Sequence, residues 1–385
     1  MDINVIGIAT TKFGELWDKS LRSLAKEAAL EALIDAGLEK KKIEAMYVGN
    51  MLSGMFSGQQ QLGPLISEEI GLPVFSTRIE GACASGGLAL HEAVRVLESG
   101  RFETVMVLGV EKMTDRNQDF VAMGLMSAGS DAERQAGATF PALYALLAKS
   151  HMDHYQTTSE MLASVAVKNH FHATFNQKAQ FPFPITIEQV LKSTLIADPL
   201  RLLDCSPITD GAAAIILTTN KFLIDRDSKR NKVKVVACEA ATDTIGLAQR
   251  TSLIELKATQ IAGREAFKRA GLLPGDVDVA ELHDCFSIAE ILALEDLGFY
   301  KKGEAGPKVL SGETKIGSKG LITNTSGGLK ACGHPVGATG VKQVVEVVLQ
   351  MRGEAGKKQV DKAKVGLCQN VGGSGATAVV TILKN

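Results

Sequence analysis

The chain has 385 residues, 45% of them hydrophobic and 22% charged, with 42 basic residues set against 43 acidic ones. That length fits two ordinary domains or one large compact unit, and the composition is that of a globular protein. A net charge of −1 gives no electrostatic reason to expect nucleic acid or an anionic membrane as partner, although a local basic patch could hold a phosphorylated small molecule.

The opening stretch INVIGIA reads as a strand. It carries neither a basic leader nor a long apolar segment, so no signal peptide or membrane anchor is expected and the cytoplasm is the default compartment. LRSLAKEAALEALIDAGL reads as a helix with Leu24, Ala28 and Leu33 on its apolar face and Gly37 closing it. IEAMYVGNML is the next strand and its exit, and FSTRIEGACASGGLALHEAVRVLESG is a strand end, a small-residue loop and a helix. ETVMVLGVEKM is a strand running into a Gly turn. Short apolar strands alternating with amphipathic helices predict an α/β fold, with helices over a mostly parallel sheet.

Near residue 232 the same order begins again. KVKVVACEA, ATQIAGREAFKRAGLL, VDVAELHDCF, LITNTSGGLKACGHPVGATGVKQVVEVVLQM and KVGLCQNVGGSGATAVVTIL repeat the sequence of elements. ALIDAGLEKKKIEAMYVGN and AFKRAGLLPGDVDVAELHD share even the Ala-Gly-Leu and the loop length. The chain therefore reads as two homologous halves, 1–231 and 232–385, the first carrying an insertion at about 115–200. Long insertions of this kind commonly lie over an active site. A pseudo-twofold pairs Asn50 with Asp284 at the second strand's exit and Cys83 with His334 at the third, where α/β folds usually place their sites.

The cysteines are Cys83, Cys205, Cys238, Cys285, Cys332 and Cys368. None form a CxxC pair and the spacing suits no zinc site, so free thiols and no bound metal are expected. Cys83 lies among small residues just before a helix, where backbone N–H groups and the helix dipole favour a thiolate and an oxyanion. The alternative is a buried small hydrophobe. His334, next to Pro335 in a Gly-rich loop, suits a proton shuttle for a cysteine nucleophile, with a surface loop histidine as the alternative. Cys332 reads as structural. CQNVGGSG places three glycines within four residues, so its backbone can approach a ligand closely. In ELHDCF, strand alternation puts His283 and Cys285 on the site face and turns Asp284 away into a structural hydrogen-bonding role. His151 with His154, and His170 with His172, show no carboxylate partner or third ligand at a useful spacing and read as solvated or capping. His91, inside the helix after Cys83, reads as structural.

Together these motifs resemble the thiolase superfamily over essentially the whole chain. GHPVGATG is its most specific string. HDCF in place of the commoner NEAF is similar to the sterol-carrier-protein-type and archaeal thiolases. TKFGELW, GVEKMTD, GATFPALYA and HDCFSIAEILALEDLGFYKKGEAG look most like the archaeal acetoacetyl-CoA thiolases. The resemblance implies a five-layered αβαβα sandwich with two mixed sheets. It implies Cys83 as the acylated nucleophile, His334 as its activator, and Cys285 as the acid/base that removes the α-proton. His283 would serve one oxyanion hole, with backbone N–H groups of Cys83 and of the Gly372–Gly373 turn forming another. The commoner pattern has a cysteine where Gln369 stands, and Cys368 is one residue out of register. Such a slip on a strand turns a side chain to the other face, which leaves Cys285 as the second thiol.

The activity implied is acetyl-CoA C-acetyltransferase: Claisen condensation of two acetyl-CoA to acetoacetyl-CoA, the first step of the mevalonate pathway. Coenzyme A is then part of the substrate, and no metal or redox cofactor is required. The alternatives are a degradative thiolase for longer or sterol-like 3-oxoacyl-CoA, and a mainly scaffolding subunit. In ADPLRLLDCSPITDGAAA, Cys205, Ser206 and Ile208 are candidate CoA contacts, as is Lys330, whose charge suits a phosphate. The resemblance further implies a homodimer or dimer of dimers, and assembly with hydroxymethylglutaryl-CoA synthase through a small zinc-containing OB-fold protein.

Overall fold

A computed structural model describes residues 2–221, 223 and 232–385. The first half contributes β1 (Asn4–Thr10), β2 (Ala45–Gly49), β3 (Phe75–Ile79), β4 (Thr104–Glu111), the short pair β5 (Leu195–Ala197) and β6 (Leu200–Arg201), and β7 (Gly211–Thr218). The second contributes β8 (Val233–Thr242), β9 (Val279–Glu281), β10 (Ile322–Thr323), β11 (Val365–Gly372) and β12 (Thr377–Lys384).

All of these except β5 and β6 lie in the order β10-β9-β11-β12-β8-β1-β7-β4-β2-β3. Taken from each outer edge inward, β3-β2-β4-β7-β1 and β10-β9-β11-β12-β8 correspond position for position. β2 runs parallel to β3 and β4, and β4 antiparallel to β7. β9 runs parallel to β10 and β11, and β11 antiparallel to β12. These are the two mixed sheets, with one addition the sequence does not announce. The edge strands β1 and β8 pair with each other at Asn4–Lys234 and Val5–Val233.

The apolar pattern sorts into layers. The helix Leu21–Ala36 covers the outer face of the first half-sheet, packing Leu24, Ala28 and Ala32 against Leu108 and Ile216. It starts at Ser20, whose side chain accepts from the Ser23 N–H, and stops at Gly37 with φ 54°. The helices Ser85–Glu98 and Thr339–Arg352 lie between the half-sheets, where Leu90 and Val94 meet Val341, Val345 and the strand residues Val105 and Leu383. The helices Lys257–Ala270 and Ser287–Asp296 cover the outer face of the second half-sheet. Helix, half-sheet, helix, half-sheet, helix is the expected five-layered sandwich.

The two central helices approach closely at Gly87 and Gly340. A Cβ at Gly340 would stand 2.3 Å from both the Gly87 nitrogen and Asn370 Oδ1. Only glycine fits between these backbones. The segment after β4 folds into the helices Gln118–Met126, Phe140–Tyr155 and Ser159–Ala173, which begin on the caps Asn117, Thr139 and Thr158. Among the described residues, no helix is long and apolar enough to cross a membrane.

Candidate active site

Cys83 stands where β3 gives way to the central helix Ser85–Glu98. The preceding Ala82 has φ 53°, a left-handed conformation that costs a non-glycine residue free energy. The turn is held in place locally. Ser85 Oγ donates to the Ala82 carbonyl at 2.6 Å and accepts from the Gly81 N–H at 3.0 Å, and Glu80 accepts from the Ala82 N–H at 2.7 Å. The thiol is half-buried at the head of the helix.

His334 comes from the equivalent loop of the other half. Its backbone N–H donates to Thr209 Oγ1 at 3.0 Å. Its ring Nδ1 lies 2.7 Å from Thr339 Oγ1, which gives its own single proton to the Pro335 carbonyl at 3.0 Å. Nδ1 must therefore be the donor of that pair, and Nε2 carries the lone pair. Nε2 is buried and has no hydrogen-bond partner. His283 meets the His334 ring edge-on, with centroids 5.0 Å apart and planes at 83°. Cys83 Sγ and one nitrogen from each of the two rings all lie within 4.8 Å of one another.

β9 ends at Glu281, so His283, Asp284 and Cys285 occupy an irregular turn rather than a strand. The divergence expected from alternation holds for a different reason. Asp284 is drawn away by the helix Gly328–Cys332, accepting from the Leu329 N–H at 2.7 Å and the Lys330 N–H at 3.3 Å. Gln369 fixes the turn from β11, accepting from the His283 N–H at 2.9 Å and donating to Thr259 Oγ1 at 3.0 Å. Asn370 gives a donor to the Cys83 carbonyl at 3.0 Å and lies 3.1 Å from His283 Nδ1.

Cys83, Cys285 and His334 face one cavity of about 220 Å³, walled by apolar side chains such as Met126, Phe140 and Val336. Tyr144 closes one side. Its hydroxyl donates to the Gly373 carbonyl at 3.0 Å, and its ring stacks on Phe286 at 4.6 Å. Burial pushes the Cys285 thiol up to about 12, with the Tyr144 hydroxyl beside it working the other way. Burial, and then the Cys285 thiol, push Cys83 well above the ordinary thiol range, against the Gly373 N–H. His334 is pushed down to about 3 by burial and by the charges of Lys330 and Lys342. Burial thus favours the neutral form of both thiols and of the imidazole.

Cys205, Ser206 and Ile208 line the same cavity, as does Gly373. Gly372 lies behind it, so close to the Cys83 loop that a Cβ would stand 2.4 Å from the Gly81 carbonyl. Lys330 is a correction. It is 2% exposed, its ammonium donates to the Asp204 carbonyl, and it lies outside the cavity lining, so it presents no charge to a phosphate. Cys332 is buried beside Asn176. Cys368 is buried between the half-sheets, away from the cavity.

The insertion's histidines also depart from expectation. His151 is buried between Thr157 at 2.8 Å and Glu295 at 3.0 Å. His170 and His172 are buried as well, with Nδ1 on the carbonyls of Phe183 and Asn324 at 3.1 Å each. Only His154 is exposed. Sequence reasoning missed Tyr144 and Asn370, and it passed over Gln369 as only a departure from the commoner pattern. Asn370, adjacent to the glycine run, is the one with a local signal.

Residues 3–221 match the family described as "Thiolase, N-terminal domain", and residues 240–385 the one described as "Thiolase C-terminal domain-like". The chain belongs to the thiolase family. It is 51% identical over 382 residues to a protein named acetyl-CoA acetyltransferase from Methanothermobacter thermautotrophicus, covering 99% of each chain. It is 34% identical to sterol carrier protein 2 of Bos taurus, covering 99% of this chain and 72% of that one. Among solved structures, the Ltp2–ChsH2(DUF35) aldolase superposes with a TM-score of 0.85 at 25% identity, covering 100% of this chain and 97% of that one.

Proposed function

We propose that this thiolase is an acetyl-CoA C-acetyltransferase that joins two acetyl-CoA into acetoacetyl-CoA and CoA, reversibly, through an acetyl group carried on Cys83. The observation that carries this reading is the convergence of two thiols, Cys83 and Cys285, with the free Nε2 of His334 on one small cavity. The name borne by the archaeal relative supports it.

The protons balance over a full cycle. His334 Nε2 takes the Cys83 proton as the sulfur attacks the thioester carbonyl, and the carbon–sulfur bond to CoA breaks. Cys285 protonates the departing CoA thiolate and becomes a thiolate itself. It then takes the α-proton of the second acetyl-CoA. The resulting carbanion forms the carbon–carbon bond to the acetyl carbonyl, the bond to Cys83 breaks, and His334 returns its proton to that sulfur. Backbone N–H groups of Cys83 and Gly373 would hold one oxyanion, and His283 the enolate oxygen. Preorganised donors of this kind usually supply the largest catalytic term.

The name of the archaeal relative also favours a short acyl group over the longer or sterol-like chains of a degradative thiolase. The test is CoA-dependent cleavage of acetoacetyl-CoA by purified protein, profiled against acyl length. Cleavage falling with length is expected, and no cleavage of acetoacetyl-CoA would defeat the reading. The product would suit the mevalonate pathway. The DUF35 partner named with one solved relative is in keeping with assembly onto a second protein, which co-purification from native extract would test.

A further inference from the structure

Asn370 lies beneath the site, between the two central helices. Its side-chain amide has four bonding positions, and the surroundings dictate how they are used. The Gly87 N–H can only donate, so the atom 3.0 Å from it is Oδ1. The Cys83 carbonyl can only accept, so the atom 3.0 Å from it is Nδ2. Both neighbours thus assign the same orientation of the amide. Nδ2 has a second proton, and the remaining neighbour is His283 Nδ1 at 3.1 Å. An N–H facing a ring nitrogen requires a lone pair there. His283 is therefore unprotonated at Nδ1, and its neutral ring carries its hydrogen on Nε2.

We propose that Asn370 is a positioning residue that locks His283 as the Nε2–H tautomer, so that this ring is a hydrogen-bond donor at the site while His334 is a base. The two imidazoles are held in opposite senses by different partners: Thr339 puts the hydrogen of His334 on Nδ1, and Asn370 keeps the hydrogen of His283 off it. Amide reorientation would set the Asn370 NH₂ against the Gly87 N–H and its oxygen against the Cys83 carbonyl. The helix contact leaves no slack, since a Cβ at Gly87 would stand 2.8 Å from Asn370 Oδ1. Burial, reinforced by His334, holds the His283 pKa well below its ordinary value, so the neutral tautomer is the relevant species.

The use of this donor rests on the acetyl transfer proposed for the site, whereas the tautomer itself does not. The test is a two-bond ¹⁵N–¹H spectrum of the ¹⁵N-histidine-labelled full chain, with the His283 signal identified by its loss in His283→Asn. Wild type is expected to show protonated Nε2 and bare Nδ1. Asn370→Asp should reverse this, because a carboxylate facing Nδ1 demands a proton there. In the same variant, condensation of acetyl-CoA should fall by about 10²-fold. A wild-type spectrum with Nδ1 protonated overturns the proposal without any variant. So does an Asn370→Asp spectrum that keeps the wild-type pattern. A correct tautomer in an enzyme that never condenses acetyl-CoA would instead defeat the functional reading and leave the lock standing.

Discussion

The turns after β2 and β9 occupy equivalent places in the two halves. After β2, Asn50 donates to Glu111 at 2.8 Å and to the Val110 carbonyl at 2.9 Å. Glu111 also accepts from the N–H groups of Met51, Leu52 and Gly337 at 2.9, 3.1 and 3.1 Å. This turn is a brace, and through Gly337 it holds the loop that carries His334. After β9, Asp284 braces in the same manner against a helix N-terminus, but its neighbours His283 and Cys285 turn to the reacting groups. The position of Cys285 corresponds to Met51, an ordinary buried apolar residue. The two turns are braced alike, and what differs is the side chains that they present. The third strands divide the work differently, with Cys83 from one half and His334 from the other.

The largest effect should come from Cys83→Ala, which removes the acyl carrier. Condensation and cleavage should both fall by about four orders of magnitude or more, measured as kcat with acetoacetyl-CoA and CoA. Near-normal turnover would remove the first half from the chemistry. Next comes the matched pair at the two turns. Cys285→Ala should cost about 10²–10⁴ in condensation and little stability. Met51→Ala should cost about 2–4 kcal/mol in urea unfolding and leave Cys83 acetylation in place. If both variants behaved alike, the distinction between brace and reactive turn would fail.

Glu111→Gln should cost about 1–3 kcal/mol, because an amide replaces a carboxylate that accepts from four donors. Its activity should fall through a displaced His334 loop, visible as altered acylation rather than altered α-proton removal. The smallest effect near neutral pH concerns His172. Its Nδ1 lies on the Asn324 carbonyl and its Nε2 accepts from the Ile316 N–H at 3.0 Å. Burial and the Lys168 charge push it down to about 3 from 6.5. Its contribution is present above pH 6.5 and is lost as pH falls toward 3, at about 1.4 kcal/mol per pH unit. His172→Gln should flatten that acid slope in thermal unfolding, and an unchanged slope would exclude this site as a cause.

Much of the scaffold was legible because it is written in local patterns. The Ala-Gly-Leu helix ends, the strand runs and the loop around Cys83 each carry their own signal. Cys83, Cys285 and His334 could be named individually for the same reason. Their supports could not, since Tyr144, Gln369 and Asn370 act across the sheet or from the insertion, on partners far away in the chain. Lys330 misled because a lysine in a glycine-rich loop carries no mark of where its ammonium points. The buried histidines misled because their partners, Glu295, Phe183 and Asn324, are brought to them only by folding.

The central claim is that Cys83 carries the acyl group while Cys285 carries only protons. Intact-protein and peptide mass spectrometry of Cys285→Ala after exposure to acetyl-CoA tests it most directly. An acetyl group on Cys83, formed in full but never passed on to acetoacetyl-CoA, is the predicted result. An unacetylated Cys83 in that variant, together with an acetyl group on Cys285 in the wild-type enzyme, would reverse the two roles.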